Sequence, residues 1–230
     1  MKWFIKPSIT TPGARFGESV HIRNFQLFIG APKDTISGFP NRTGAVYHCR
    51  LPLNGSGALT ILMDSNLQED DLFGFSLLIG RSPNAVSPEV IYIGAPGSFA
   101  EKGSVREFSF TDSGDILSNS TQLISPPTLS PMDHFGYSLA GDDSRTLFVG
   151  APGDSSNSAG INANLGLGSL FESGAVYIFT RDSSKNPLLQ IATIKAPYPD
   201  KGDQFGASLS YFSGLLLVGA PGESSPGSSV

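Results

Sequence analysis

The sequence holds a single cysteine, Cys49, so no disulfide can form within the chain. That excludes a cross-linked small scaffold and leaves the compartment open. Charged residues make up only 15% against 39% apolar residues, which excludes disorder of the high-charge kind. Basic residues are in deficit, 15 Lys and Arg against 20 Asp and Glu, the wrong balance for a nucleic-acid surface. No apolar run approaches the roughly 18 residues of a membrane-spanning helix. The start does not read as a secretory leader, because only Trp3, Phe4 and Ile5 stand between Lys2 and the Lys6-Pro7 pair. Either the protein stays inside the cell or the natural sequence begins elsewhere, and the repeats favour the second. At 230 residues the chain allows one large or two small domains with a sizeable core.

Glycine and proline are plentiful, at 27 and 17 residues, and they fall in a pattern. Phe-Gly occurs at Phe16-Gly17, Phe73-Gly74, Phe135-Gly136 and Phe205-Gly206. Two residues after each Gly stands a serine: Ser19, Ser76, Ser138 or Ser208. An apolar triplet followed by Gly-Ala-Pro comes next, its glycines being Gly30, Gly94, Gly150 and Gly219. A two-part motif found four times in the same order marks a repeat architecture.

Alternation in Phe-Gly-x-Ser-Leu puts bulk on one face of a first strand and leaves the other nearly bare, suited to close approach by a neighbour. The apolar triplet reads as a second strand buried on both faces, ended by the proline. Third strands follow at Gly44 to Tyr47, more weakly at Gly103 to Val105, and at Gly174 to Phe179. Fourth strands follow at Leu59 to Met63, Gln122 to Ser125 and Leu189 to Ile194. Asn54-Gly55, Asp112-Ser113-Gly114 and Asp182 to Pro187 supply the turns between them. The expected fold is all-β: a β-propeller of four-stranded antiparallel blades. A β-sandwich is the alternative, but it does not require one motif four times. The units are an outer strand and linker at 1–15, blades at 16–64, 65–125 and 126–195, and a partial blade at 196–230. With Phe4 to Thr10 as an orphan outer strand, this is about three and a half blades, an incomplete ring.

The paired motifs resemble the FG-GAP repeats of integrin α-subunit propellers, which also occur in glycosylphosphatidylinositol-specific phospholipase D and in microbial surface proteins. The resemblance covers about residues 9 to 222. It implies a seven-bladed propeller outside the cell, in a protein that binds a protein ligand, extracellular matrix among the candidates, with an integrin β-type subunit as a candidate partner. Two features depart from it. Integrin blades often pair the cysteine after the third strand with a second one, and Cys49 has no partner; a packed thiol is expected. Family calcium loops of the form Asp-x-Asp-x-Asp-Gly are absent, and Asp142 with Asp143 falls short of calcium's six to eight oxygens. No metal or other cofactor is expected in this segment, and calcium would belong to blades it does not contain.

Catalytic signatures are missing. There is no Gly-x-Ser-x-Gly, no His-Glu-x-x-His and no phosphate-binding loop; Gly166-Leu167-Gly168 is not completed to a dinucleotide fingerprint. His21 and His48 read as strand residues and His134 as a surface neighbour of Asp133, so the segment is expected not to be an enzyme. Three glycosylation sequons start at Asn41, Asn54 and Asn119.

The leading reading is therefore an extracellular adhesion or ligand-recognition module, a glycoprotein without membrane insertion in this segment. The alternative is an accessory propeller of a secreted hydrolase, or a microbial surface protein. Binding would use the second-to-third connections, Lys33 to Thr43, Gly97 to Lys102 and Gly153 to Ser173, with the loops before each Phe-Gly. Candidate ligand-binding acids there are Asp70, Asp71, Asp133, Asp154, Asp200 and Asp203, unless they simply solvate turn tips. In the long Gly153 to Ser173 loop, the Leu165 to Phe171 end is expected to pack and Asp154 to Ala159 to stay mobile.

Overall fold

The apolar triplets before Gly-Ala-Pro form the best-buried strands of the molecule. The computed structural model describes residues 5–7, 10–51, 59–81, 89–111, 115–116, 122–142, 145–162, 168–181 and 187–224. The described chain is all-β, in four antiparallel sheets that follow chain order. The first sheet contains β1 (Val20–Arg23), β2 (Gln26–Ala31), β3 (Ala45–Arg50) and β4 (Thr60–Leu62). The second contains β5 (Ser76–Arg81), β6 (Glu89–Ala95), β7 (Ser104–Phe110) and β8 (Gln122–Ile124). The third contains β9 (Ser138–Gly141), β10 (Thr146–Ala151), β11 (Gly160–Ile161), β12 (Ala175–Thr180) and β13 (Leu189–Lys195). The last contains β14 (Ser208–Phe212) and β15 (Leu215–Gly219). Within each sheet the strands are neighbours in chain order, except that β11 adds a fifth strand beyond β13.

Three of the sequence expectations change. Phe-Gly is not extended strand. Gly17, Gly74, Gly136 and Gly206 have φ of 91°, 92°, 91° and 94°, a left-handed conformation that glycine adopts without penalty, so the pair makes a turn and the ladder starts after it. The third strand that looked weakest, β7, is as long as any and buried throughout. Its two charged side chains pair outside the strand, Arg106 with Asp64 and Glu107 with Arg181. Of the proposed outer strand Phe4 to Thr10, residues 5–7 and 10 are in no ladder, and the remainder lies outside the described residues.

Successive sheets stack face to face, with an apolar core in each gap. Phe28, Val46, Phe73, Ile91 and Phe110 join the first two sheets. Tyr92, Val105, Phe135, Leu147 and Tyr177 join the second to the third. Phe148 and Val176 meet Leu209, Tyr211 and Val218 between the third and the last. Phe73 and Phe135 are fully buried, each worth about 2–3 kcal/mol of transfer free energy. The first strands lie side by side, β1 on β5, β5 on β9 and β9 on β14.

The motif residues make the joints. Ser19 Oγ donates to the Gly74 carbonyl at 2.7 Å, Ser76 Oγ to Gly136 at 2.7 Å and Ser138 Oγ to Gly206 at 2.6 Å. Each serine thus binds the Phe-Gly turn of the next unit. The Gly-Ala-Pro glycine opposite must be bare: a Cβ on Gly30, Gly94 or Gly150 would lie 2.0–2.1 Å from that same carbonyl. The phenylalanine completes the joint through parallel bridges from Phe73, Phe135 and Phe205 to Gly44, Gly103 and Gly174. The bare face expected of the first strand is thus real, and the backbone of the next repeat occupies it.

Candidate functional site

Both sets of loops singled out in the sequence meet at one end of the sheets, because each second-to-third connection touches the next pre-Phe-Gly loop. Arg42 Nη2 pairs with Asp70 Oδ1 at 2.7 Å, both half exposed. The His134 backbone N–H donates to the Glu101 carbonyl at 2.9 Å, and its ring lies 3.7 Å from the Glu101 carboxylate. Gln204 donates from backbone and side chain to Glu172, both at 2.9 Å, and Gly202 N–H donates to Phe171 O. Phe99, Met132 and Phe171 are exposed beside these contacts. A cleft of about 630 Å³ opens here between the third sheet and the last, lined by His134, Tyr137, Gly153, Glu172, Gln204 and Pro221 among others. A larger cavity of about 1080 Å³ lies at the outer strands of the first two sheets, against Phe39, Met63 and Phe108, with the Arg106–Asp64 pair in its wall.

The six candidate acids divide. Asp70 is exposed and paired as above, and Asp200 is exposed beside Lys201. Asp71, Asp133, Asp154 and Asp203 are buried, so they do not present carboxylates to a ligand. Three of them perform one task. Asp71 Oδ2 accepts from Gln68 N–H at 2.9 Å, Asp133 Oδ2 from Ser130 N–H at 2.7 Å, and Asp203 Oδ2 from Asp200 N–H at 2.6 Å. Their backbone carbonyls accept from Gly97, Gly153 and Gly222, the residues after Gly-Ala-Pro. Each acid closes its own turn and ties it to the second-strand loop. Ala14 takes this place in the first unit, and its carbonyl accepts from Lys33 N–H.

Asp154 anchors the long loop rather than swinging free. Its Oδ1 accepts from Lys195 Nζ at 2.5 Å and from Ser156 N–H and Oγ at 3.0 and 2.6 Å. Lys195 is fully buried and also donates to Ser173 Oγ. The mobile stretch expected at Asp154 to Ala159 is therefore corrected at its start: burial of the ion pair fixes it. Of the Leu-rich end, 163–167 lie outside the described residues, and Phe171 is exposed instead of packed.

Burial sets the electrostatics. It raises the Asp133 carboxyl to about 7, with the Asp154 charge adding to the rise, while Ser130 N–H and the Lys195 and Lys102 charges oppose it. Burial also raises Asp71 and lowers Lys195, the latter against the pull of Asp154. Sequence reading missed the cations in these networks. Lys195 is 41 residues from Asp154, Arg106 is 42 from Asp64, and Arg181 is 74 from Glu107. The one available signal was a charged residue next to an apolar strand.

The remaining candidates are accounted for locally. Cys49 is buried on the outer side of the first sheet, which pushes its thiol up. His48 Nε2 lies 2.7 Å from Gln26 Oε1, and His21 Nδ1 lies 3.4 Å from the Leu77 carbonyl of the next sheet. Asp142 Oδ1 accepts from Arg145 and Thr146 N–H, closing a turn; Asp143 lies outside the described residues. Asn41 is exposed, while Asn54 and Asn119 lie outside the described residues. Among the described residues, no three His, Cys, Asp or Glu side chains group as metal ligands. No family model matches this chain, and no curated protein matches it at a significant level.

Proposed function

We propose that the four sheets are blades of an FG-GAP-type β-propeller, about half of a seven-bladed ring, and that the chain is an extracellular recognition module like that of an integrin α-subunit. Its partner is a protein ligand with a basic surface, held by the loop end, and no catalytic role is assigned. The observation that carries this reading is the convergence of second-to-third and pre-Phe-Gly loops from successive units into one continuous surface. Three acids stand along it, Asp70 and Glu101 exposed and Glu172 half-buried, among the exposed aromatics Phe99 and Phe171. Acid-rimmed apolar surfaces of this kind suit basic protein partners. The side-by-side first strands and the serine-to-glycine joints support the blade assignment.

The test uses surface acids, because changing Asp71, Asp133 or Asp203 would perturb folding. Immobilised chain carrying Asp70→Asn, Glu101→Gln and Glu172→Gln together is compared with the parent for capture of purified basic matrix proteins. Binding is expected to fall at least about tenfold and to weaken with salt. Equal capture by both proteins overturns the assignment of this surface.

A further inference from the structure

The joint between sheets has two halves, and among the described residues one copy of each is unused. The receiving half is a serine hydroxyl beside a bare Gly-Ala-Pro glycine. The inserting half is a Phe-Gly carbonyl followed by a strand with alternating apolar side chains. At the last sheet, Ser208 and Gly219 repeat the receiving half, yet Ser208 is exposed. The three atoms nearest a Cβ on Gly219 all belong to Ser208, whereas its counterparts lie nearest the carbonyl of the next unit. The same outward face shows Phe212, Leu215 and Leu217, exposed at 83%, 64% and 61%. At the first sheet, Phe16-Gly17 repeats the inserting half. Gly17 is exposed where Gly74, Gly136 and Gly206 are buried, and nothing lies within 4 Å of a Cβ placed on it. Behind it Val20 and Ile22 are exposed at 59% and 56%, although their counterparts Leu77 and Ile79 are buried in the core between the first two sheets.

We infer that these two faces bind each other between molecules: the outward face of β14–β15 receives the Phe16-Gly17 turn and β1 of a second copy. The occupant follows from the joint itself. Three times in this chain a Ser-Gly face is closed by a Phe-Gly turn and the strand after it, and the exposed turn with that chemistry at the opposite end is Gly17. The contact is head to tail, so it joins unlike surfaces and permits addition at either end. It lacks one part of the internal joint, because β15 has no third strand beside it among the described residues to bridge Phe16. Association in about the micromolar range is therefore expected, the weak end for an interface of modest size. This inference rests on the stacking of sheets and not on the ligand reading, so either can fail alone.

Sedimentation velocity on the intact chain tests it, with two variants at exposed positions, Val20→Arg and Leu217→Arg. The parent is expected to gain mass with concentration, and each variant to remain monomeric while melting as the parent does when dilute. Mixing the variants is decisive. Val20→Arg keeps a good receiving face and Leu217→Arg a good inserting face, so the mixture forms a one-to-one dimer and stops there. A parent that stays monomeric at every concentration, or a mixture that does not associate, overturns the inference. A monomer whose Ser208 to Phe212 amides exchange slowly would mean that the chain covers this face itself, and overturns it equally.

Discussion

At the residue scale, the acids before Phe-Gly show how position decides what a carboxylate does. Asp70 and Asp71 are neighbours, yet one is exposed with Arg42 and the other is buried, closing a turn. Asp133 carries the clearest consequence. Its carboxyl is raised to about 7 in the folded chain, whereas an unfolded aspartate ionises near about 3.9. Between those values the unfolded chain binds fewer protons, so stability falls as pH rises from about 4 to about 7 and then levels off. Below about 4 both forms are protonated and the effect vanishes. Asp133→Asn keeps an acceptor for Ser130 N–H and removes the charge. Urea melts across pH 4 to 8 are expected to show a loss of a few kcal/mol in the parent that is much reduced in the variant. The same slope in both would show that Asp133 is not the group responsible.

Two elements meet at each joint, and the glycines there are the sharpest test of it. A Cβ at Gly94 would lie 2.1 Å from the Gly136 carbonyl and 2.2 Å from Ser76 Oγ. One obstacle is backbone of the next sheet, so relief requires separating the sheets. Gly94→Ala is expected to cost about 3 kcal/mol, the upper range for overpacking. At Gly219 the atoms nearest a Cβ belong to Ser208, an exposed residue whose side chain is free to turn, so Gly219→Ala is expected to cost under about 1 kcal/mol. Equal midpoints for the two variants in chemical denaturation would contradict the joint. The buried Lys195–Asp154 pair gives a second check on the third sheet. Lys195→Met leaves Asp154 buried without its cation and is expected to lower stability by about 3–5 kcal/mol, read as a drop in thermal midpoint.

For the whole molecule, stacking in chain order makes stability uneven. The inner sheets are covered on both faces, while β14 and β15 are covered on one and expose Phe212, Leu215 and Leu217. Hydrogen exchange on the Val20→Arg variant, which cannot self-associate head to tail, is expected to show β14 and β15 opening well before β6 and β10. Uniform protection across all four sheets would mean that they unfold as one unit.

Much of this organisation was legible in the sequence because it depends on local chemistry. Three apolar residues before Gly-Ala-Pro make a strand buried on both faces, and proline ends it; β2, β6 and β10 follow. Four occurrences of one motif imply four similar sheets, and the bare side of Ser-Leu implies close approach by a neighbour. What the sequence could not determine is where each polar group ends up. Phe-Gly reads as strand from its alternation, yet its glycine turns at positive φ in all four units, including Gly17, where nothing lies within 4 Å of a Cβ. Asp71, Asp133 and Asp203 read as ligand-binding acids or solvated tips because their partners are backbone groups, which look alike at every position. Lys195 and Arg106 stand one residue past the strands read at Leu189 to Ile194 and Gly103 to Val105, and their carboxylates are some forty residues away. Periodicity reports which face of a strand is apolar, and only the packing of sheets decides which charged side chain is enclosed with its partner and which is left in water.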